Sequence, residues 1–401
     1  MKPIVHARYV GPDAEDAQIR GALWEMLDGL DGLASSLGTM RSIVIKSNLG
    51  ILDARTHRGR PCALADAAVV EAVVAWLRRH TDAEIVVGDA STGIRCEAVA
   101  EAIGLPERLA PHRARIVDFN DGPFQTYAVP GGGVMFDEYV LSDWFARADL
   151  VVSIAKMKAH LSTGVTLTLK NLFGIPPTSV YGAPRRYLHA PVRLPRVIVD
   201  LGLILRPQLC VIDGVIGQTR SEWHGPGVDA GWLFVGDNCV ATDAVAMRVM
   251  GIRPLDDYPE PPFHFDRNPI RIAYDRGLGS ARLEEIELRG DPLRPVHGFY
   301  ADKHMEPELL DEIRRSIAEQ AALFLERREE YLREFSGQFI GLFDGEVIQV
   351  GETLEGLKSR GQYAKERGKR NKGLYLKRVV PEPEDREVYA VYREILDGVR
   401  A

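Results

Sequence analysis

The sequence predicts an α/β fold: two lobes with mostly parallel sheets flanked by helices, plus a small α+β appendage at the C-terminus. Short apolar runs typical of buried strands alternate with helical patterns through the first half of the chain, which favours parallel strands joined by helices. Two later apolar runs, at 208–217 and 232–238, carry a Gly/Asp pair near the strand end. At 401 residues, the chain also exceeds the size of one typical core.

We predict four strands and one helix in the first lobe, at 41–48, 83–92, 114–119, 148–155 and 66–80 respectively. The helix has apolar residues at helical spacing and a basic last turn, which suits the helix dipole. Asn48, Asp89 and Lys156 stand at strand ends. Because ligands usually bind at the carboxyl ends of parallel strands, these are candidate site residues.

The expected domains are a first lobe at 1–155, a second lobe at 156–300, a long charge-rich helix at 301–335 and an appendage at 336–401. In the appendage, Asp344-Gly345 lies between alternating apolar runs. That pair predicts a two-residue hairpin turn, because the turn needs positive φ. A helical stretch and a further apolar run follow, so the appendage is interpreted as a β-β-α-β unit.

The composition is that of a soluble globular protein, with 45% apolar and 27% charged residues. A net charge of −7 argues against a general nucleic-acid binder. No segment approaches the roughly 18 uninterrupted apolar residues of a membrane span, and the N-terminus lacks an apolar secretion core. We therefore expect a cytoplasmic protein with a small-molecule substrate and no nucleic-acid or membrane partner. Whether it forms a homo-oligomer stays open.

The cysteines and common motifs exclude several classes of protein. The four cysteines stand far apart and form no CxxC pair, so an iron–sulfur cluster is not expected, and any metal would need His, Asp or Glu ligands. No phosphate-cradling GxxxxGK loop, GxGxxG fingerprint, HExxH or GxSxG motif occurs. This weakens the NTPase, dinucleotide oxidoreductase, zincin and serine hydrolase interpretations.

The block SIAKMKAHLSTGVTLTLKNLFG, residues 153–174, places cationic side chains beside a run suited to a protein interior. Lys156, Lys158 and His160 alternate just beyond a predicted strand, so in an extended chain they share one face. Like charges on one face repel each other unless an anion lies among them. The pattern therefore favours carboxylate or phosphate binding, or a lysine that acts as a base. The alternative is a solvated strand end.

Lys170 and Asn171 end the apolar run of this block, and His189 follows a loop rich in Pro and Gly. Imidazole serves both as a metal ligand and as a proton carrier near neutral pH, although a lone histidine is more often structural. The candidate catalytic residues are His160, Lys170 and His189. The candidate substrate-binding residues are Lys46, Asn48, Asp89, Lys156, Lys158 and Asn171.

Asp213 and Asp243 are candidate metal ligands. Asp243 falls inside a predicted helix, where Asp is a poor helix former, so it should have a tertiary partner, either a metal or another group. The glycine-rich loop SEWHGPG, residues 221–227, either covers a pocket or is only a turn. The cofactor is unknown from sequence, and a divalent metal is one candidate.

The order of several blocks resembles the domain-of-unknown-function 362 family over about residues 40–255. The blocks are VIKSN, VVGDAS, AKMKAHLSTGVTLTLKNLFGIPP, the histidine before VIVDL, CVIDGVIG and VGDNCVATDAVAMRVMGI. Many relatives also carry a ferredoxin-like module with cysteine-rich motifs, which this chain lacks. The appendage is similar to a small DG-hairpin module of other bacterial proteins. The family resemblance implies no particular reaction.

A more distant similarity of pattern links three residues to the lactate racemases. Those enzymes have a histidine, a lysine ten positions later and a second histidine around a nickel-pincer nucleotide, and His160, Lys170 and His189 follow that order. The resemblance implies that His160 moves protons, that Lys170 tethers the cofactor and that His189 binds nickel.

The leading hypothesis is an enzyme that acts on a small carboxylate or phosphate metabolite in a cleft between the lobes, with proton transfer by lysine and histidine. Because lysines stabilise the charge of an enolate, isomerase, lyase and cofactor-assisted redox chemistry all stay open. One alternative is a non-catalytic protein that binds an anionic ligand or cofactor. The other is a racemase-like enzyme with a nickel-pincer type cofactor.

Overall fold

The computed structural model describes residues 2–53, 55–303 and 305–398. The strands are β1 (Ile4–Tyr9), β2 (Ser42–Ser47), β3 (Thr56–His57), β4 (Arg60–Pro61), β5 (Glu84–Asp89), β6 (Ala114–Asp118), β7 (Phe124–Ala128), β8 (Glu138–Ser142), β9 (Leu150–His160), β10 (Gly164–Thr166), β11 (Leu209–Gln218), β12 (Gly227–Gly236), β13 (Glu287–Gly290), β14 (Phe339–Phe343), β15 (Glu346–Gly351) and β16 (Leu374–Arg378). The α-helices are α1 (Asp16–Asp28), α2 (Leu33–Leu37), α3 (Ala67–His80), α4 (Cys96–Ala102), α5 (Leu105–Leu109), α6 (Thr168–Asn171), α7 (Thr178–Tyr181), α8 (Arg193–Leu205), α9 (Cys239–Val249), α10 (Pro269–Asp275), α11 (Pro307–Glu326), α12 (Arg328–Phe335), α13 (Arg360–Glu366) and α14 (Ala390–Leu396).

One large sheet organises the fold, with the strand order β13-β1-β12-β11-β9-β2-β5-β6 and with β10 paired to β9. Strands β11, β9, β2, β5 and β6 lie parallel to one another, as the alternation of strands and helices predicts. Strand β12 pairs antiparallel with both β1 and β11. The fold is therefore α/β with a large, mostly parallel sheet.

The structure differs from the two lobes expected from the sequence, because strands from both predicted lobes belong to this one sheet. Strand β9 runs through the boundary predicted after residue 155, and β11 pairs with it in parallel, with Asp213 opposite Lys156. Both strands are buried along their whole length. The change from apolar to cationic residues after position 155 therefore occurs within one strand and does not mark a boundary between lobes.

Helices cover both faces of the sheet. On one face, α1, α3, α4 and α5 pack around side chains such as Ile43 and Ile45, and on the other face α6, α8, α9 and α10 share a core with Val44. Successive residues of a strand point to opposite faces, so β2 contributes to both cores. None of the helices in the described ranges has the length and apolar character that crossing a bilayer demands.

The appendage forms a small sheet of its own, β15-β14-β16, with α13 between β15 and β16. Asp344 and Gly345 have positive φ angles of 53° and 84° and connect β14 to β15, so the hairpin lies at the turn predicted from this pair. The long helix expected at 301–335 is two helices, α11 and α12, which meet at Arg327.

A buried ion-pair network fixes the appendage to the start of α8. Arg193 Nη2 lies 2.6 Å from Glu387 Oε1, and Lys377 Nζ lies 2.9 Å from Glu387 Oε2. Arg193 also donates from Nη1 to the carbonyl of Tyr187 at 3.0 Å, and the Tyr187 and Phe339 rings have centroids 5.8 Å apart. The appendage therefore holds the segment that precedes α8.

Candidate functional site

A cavity of about 140 Å³, here called the central cavity, lies where strands β2, β5 and β9 end. Helix α6 and the segments 184–189 and 222–223 complete its wall. Eight residues selected from the sequence line it: Lys46, Asn48, Asp89, Lys158, His160, Lys170, Asn171 and His189. The carboxyl ends of parallel strands meet at one edge of a sheet, which explains why residues so distant in sequence come together.

Lys46 is held entirely by protein groups. Its Nζ donates to Asp89 Oδ2 at 2.9 Å, to Asn171 Oδ1 at 2.9 Å and to the Ser47 carbonyl at 2.6 Å. Burial lowers the pKa of this lysine, and the Asp89 carboxylate opposes that shift. All three ammonium protons are used, so Lys46 and Asp89 form a structural ion pair under the central cavity.

Asn171 is equally engaged. Its amide nitrogen donates to the Lys46 carbonyl at 3.0 Å and to Ser153 Oγ at 3.0 Å, and its oxygen accepts from Lys46. Asn48 contributes a long contact of 3.4 Å to that oxygen, while Asn48 Oδ1 is buried without a hydrogen-bond partner among the described residues. Asn171 therefore orients Lys46, whereas Asn48 keeps an unused acceptor.

Lys158 lies at the wall formed by β9. Its Nζ donates to the Ala63 carbonyl at 2.8 Å and lies 4.7 Å from the centre of the Trp223 ring. Burial lowers the pKa of Lys158 to about 7, with Glu222 opposing the shift and the neighbouring lysines adding to it. A buried amine of this kind regains its charge when an anion binds beside it.

Lys170 is the exception among the cavity lysines. It lies on α6, is half-buried, and its Nζ has no hydrogen bond or ion pair within the described part of the chain. The Phe173 ring centre lies 4.8 Å from Nζ. Burial lowers the pKa of Lys170 to about 8; Glu222 opposes this shift, and the positive charges of Arg185 and Lys46 add to it.

The position of Lys170 is set by Asp243, which lies on α9. The Asp243 carboxylate accepts hydrogen bonds from the Thr168 amide at 2.8 Å, from Thr168 Oγ1 at 2.6 Å and from the Leu169 amide at 2.9 Å. The two backbone amides are otherwise unpaired donors at the start of a helix. The tertiary partner that the sequence requires for Asp243 is therefore the beginning of α6.

His160 has a defined tautomer. Its Nδ1 lies 3.1 Å from the Ser162 amide and 3.3 Å from the Thr163 amide and accepts from both. A nitrogen that accepts carries no proton, so the neutral ring holds its proton on Nε2. Burial lowers the pKa of His160 well below its usual value. His160 is thus a neutral N–H donor rather than a free base.

Glu222 faces the Nε2 side of the His160 ring. Its Oε1 lies 3.7 Å from His160 Nε2, and its Oε2 accepts from the Leu161 amide at 3.1 Å. Burial alone would raise the pKa of Glu222, but His160, the Leu161 amide and Lys170 together lower it to about 2. The SEWHGPG loop therefore covers the central cavity, with Glu222 and Trp223 as lining residues.

Arg185 and His189 reach the cavity from the segment before α8. Arg185 donates from Nε to the Pro176 carbonyl at 2.8 Å and from Nη2 to the Gly174 carbonyl at 3.0 Å. Burial, and then the charge of Lys170, lowers the pKa of His189 to about 4. His189 is therefore neutral near pH 7.

Lys156 and Asp213 lie outside the central cavity. Lys156 Nζ pairs with Asp213 Oδ2 at 2.9 Å, and both side chains are fully buried. The same carboxylate oxygen accepts from the Asp66 amide at 2.9 Å. Asp213 and Asp243 are thus bound to separate protein partners. Across the described residues, no group of three or more His, Cys, Asp or Glu side chains is placed to hold a metal ion.

Sequence reasoning missed Arg185 and Glu222 as site residues. Arg185 opens the segment RRYLHAP, and its positive φ of 64° gives no sequence signal in a non-glycine residue. For Glu222, the glycine-rich loop around it was the available signal, because such loops often cover ligands. A carboxylate in that loop, together with a block of lysines and histidines elsewhere in the chain, indicates a residue that can pair with those cations.

A larger surface groove, of about 560 Å³, lies near the start of α1. Its arginines already pair with carboxylates: Arg60 with Asp16 and Asp66, and Arg108 with Asp16. Charges compensated in this way need no ligand. The unpaired amine of Lys170 distinguishes the central cavity from this groove.

The fold and site define an α/β protein with a small, cation-lined cavity at the carboxyl edge of a mostly parallel sheet. The model of the family described as Domain of unknown function (DUF362) matches residues 43–248, and the chain belongs to that family. Each strand that ends at the central cavity, with α6, α8 and α9, lies within or overlaps the matched region. The appendage lies outside it.

Among curated proteins, the chain is similar to the thylakoid-associated protein sll1697 of Synechocystis, with 24% identity over 246 residues, covering 60% of this chain and 72% of that protein. Two solved structures are similar at 14% identity. The lactate racemase apoprotein from Thermoanaerobacterium thermosaccharolyticum has a TM-score of 0.36, with 54% of this chain and 50% of that chain covered. A protein from Thermotoga maritima has a TM-score of 0.34, with 55% of each chain covered. The chain thus spans about half the length of these structures, and scores this low carry no argument on function.

The central cavity does not fit a nickel-pincer nucleotide as it is arranged here. Its volume of about 140 Å³ lies below the roughly 300 Å³ at which pockets for larger ligands begin. A ligand of a few heavy atoms suits this volume better.

Proposed function

We propose that this protein is an enzyme that binds a small carboxylate or phosphate metabolite in the central cavity and transfers protons on it. Lys158 binds the anionic group, His160 donates from Nε2 to an oxygen of the ligand, and Lys170 accepts or returns a proton. Proton transfer by a positioned side chain is most efficient when its pKa lies near the working pH. The pKa of Lys170, about 8, meets that requirement.

The excess of positive charge in the central cavity carries the proposal. The lining holds four cationic side chains, Lys46, Lys158, Lys170 and Arg185, and two carboxylates, Asp89 and Glu222. Four minus two leaves two uncompensated positive charges. Uncompensated charge away from water is costly, and an anionic ligand removes that cost. Burial is the main reason that the pKa values of Lys158 and Lys170 are lowered, and their positively charged neighbours lower them further.

Calorimetric titration with pyruvate, together with proton NMR in D₂O, tests this function. We expect pyruvate to bind and Lys158→Met to weaken binding about ten- to a hundredfold, since a hydrogen bond to a charged group contributes about 1.5–3 kcal/mol. Lys303→Met is the matched control, because Lys303 is exposed and, among the described residues, its ion pair is with Glu306. We also expect exchange of carbon-bound hydrogen of pyruvate with deuterium, and its loss in Lys170→Met. Binding without exchange would favour the non-catalytic alternative, and equal pyruvate affinity of Lys158→Met and Lys303→Met would contradict the proposed site.

Pyruvate affinity should depend on pH with a defined sign. Its carboxylate stays ionised above about pH 4, so the dependence comes from the protein. The groups facing Lys158 and Lys170 are Glu222, Arg185, Lys46, Lys156 and Asp89. With pKa values of about 7 for Lys158 and about 8 for Lys170, both amines are charged at pH 6 and become neutral as pH rises. Affinity should therefore be highest near pH 6 and fall between pH 7 and 9, with proton uptake on binding at pH 8. Constant affinity from pH 6 to 9 would count against this assignment.

A further inference from the structure

We propose that Lys170 is a nucleophile whose amine forms an imine with the carbonyl carbon of a small 2-oxo acid. This inference rests on the proposed function, because it places the 2-oxo acid in the same central cavity. It goes further in naming the substrate class and a covalent step. Amines that react with carbonyls need a free lone pair, a neutral fraction near pH 7 and a group that polarises the carbonyl.

Lys170 is the lysine of the central cavity with a free amine. Lys46 donates to three acceptors and Lys158 to the Ala63 carbonyl, and just outside the cavity Lys156 pairs with Asp213. Among the described residues, Lys170 Nζ has no hydrogen bond or ion pair, and the Phe173 ring centre lies 4.8 Å from it. Its lone pair can attack a carbonyl without breaking any hydrogen bond of the fold.

The surroundings of Lys170 favour the neutral amine and hold it in place. Burial removes the water that would solvate an ammonium ion; the Glu222 carboxylate opposes this effect, and the positive neighbours Arg185 and Lys46 add to it. The Asp243 carboxylate fixes the start of α6 through Thr168 and Leu169. The amine therefore extends into the central cavity from a short helix anchored two residues before it.

The opposite wall supplies the other groups that a 2-oxo acid requires. His160 presents Nε2–H as a neutral donor, which can polarise the carbonyl oxygen without first losing a proton. Glu222, whose Oε1 lies 3.7 Å from that nitrogen, can relay protons, and Lys158 pairs with the carboxylate. Three carbons with a carboxylate and a ketone match a cavity of about 140 Å³.

The step balances without any further reactant. The neutral Nζ attacks the carbonyl carbon, a C–N bond forms, and the C=O π electrons move to oxygen, which takes up a proton. The carbinolamine then loses its oxygen as water, which carries away the two protons lost from nitrogen, and the C=N bond that remains takes up one proton from solvent. The protonated imine withdraws electrons from the adjacent carbon, which makes its C–H bond more acidic. Because the imine nitrogen has no free lone pair, Glu222 rather than Lys170 accepts that proton in this covalent route.

Borohydride trapping tests the imine directly. The full-length protein is incubated with pyruvate and sodium borohydride, digested and analysed by peptide mass spectrometry. Reduction of the imine leaves a carboxyethyl group on Nζ, and we expect it on Lys170 at a level at least tenfold above that on the exposed Lys303 in the same sample. Excess inorganic phosphate should lower the yield by competition, and Lys170→Arg should carry no adduct in that peptide.

The outcomes separate the imine from the proposed function. An adduct concentrated on Lys170 and lowered by phosphate supports the inference. If pyruvate binds in a manner that depends on Lys158 but Lys170 is labelled no more than Lys303, the imine is wrong and anion binding stands. If pyruvate neither binds nor labels Lys170, both are wrong. Equal labelling of native and urea-unfolded protein at Lys170 also overturns the inference, because it would show that the fold does not activate the amine.

Discussion

Replacing Glu387 by glutamine is expected to lower the free energy of unfolding by about 3–5 kcal/mol, because it removes one partner from a buried ion pair and leaves the other charge uncompensated. Glu387 is fully buried and lies between Arg193 and Lys377, at 2.6 Å and 2.9 Å. It also accepts from Tyr392 Oη at 2.6 Å and Tyr375 Oη at 2.9 Å. Urea unfolding followed by circular dichroism measures the change.

The effect of Glu387→Gln should reach the central cavity through Arg193. That guanidinium joins Glu387 to the Tyr187 carbonyl, and the Tyr187 segment carries Arg185 and His189 into the cavity wall. We expect faster amide hydrogen exchange at 185–193 under native conditions and weaker pyruvate binding. Loosening of a segment held by few contacts is the form that local unfolding takes.

Glu384→Gln is the matched control, since it makes the same chemical change at an exposed site in the same appendage. Its effect on unfolding should stay within about 0.5 kcal/mol. Should Glu387→Gln unfold like the control, the network would not hold the appendage. Faster exchange limited to residues 336–398, with 185–193 unchanged, would show that the appendage and the cavity segment are independent.

The parts of the site that sequence could predict are those set by one strand or one helix. Lys46, Asn48 and Asp89 stand at the ends of parallel strands, and that rule alone brings them to one edge. The alternation of Lys158 and His160 along β9 likewise predicts a shared face. The Asp344-Gly345 turn is equally local, because two adjacent residues determine its geometry.

The rest depends on pairings between distant strands and helices. Lys156 shares the alternation of Lys158 and His160, yet it pairs with Asp213, because the register of β11 places that carboxylate opposite it. Asp243 was a candidate metal ligand because its partner, the start of α6, lies 75 residues earlier in the chain. The single sheet could not be predicted for the same reason, since no local sequence pattern determines the order of the strands on either side of residue 155.

Gly174→Ala is expected to disrupt the base of the central cavity. A Cβ at Gly174 would press on Asp89 Oδ1 and lie 2.7 Å from Lys46 Cε and 2.9 Å from Lys46 Nζ. Neither side chain has room to move, because Lys46 is fully buried with three hydrogen bonds and Asp89 is 1% exposed. The methyl group must therefore separate the ion pair or displace the backbone. Overpacking of this kind costs about 1–3 kcal/mol, and separation of the buried pair adds to it.

Gly21→Ala is the control, and its effect should have the opposite sign. Gly21 lies on the exposed side of α1, and a Cβ there would meet no atom within 4 Å, so the change should stabilise the helix by about 0.5–1 kcal/mol. Urea unfolding gives both values, and calorimetry with pyruvate should show lost binding in Gly174→Ala alone. If Gly174→Ala bound pyruvate as the native protein does, the Lys46–Asp89 pair would not support the cavity floor. Intact binding together with lost stability would assign the pair to the fold alone and leave Lys158 and Lys170 to hold the anion without it.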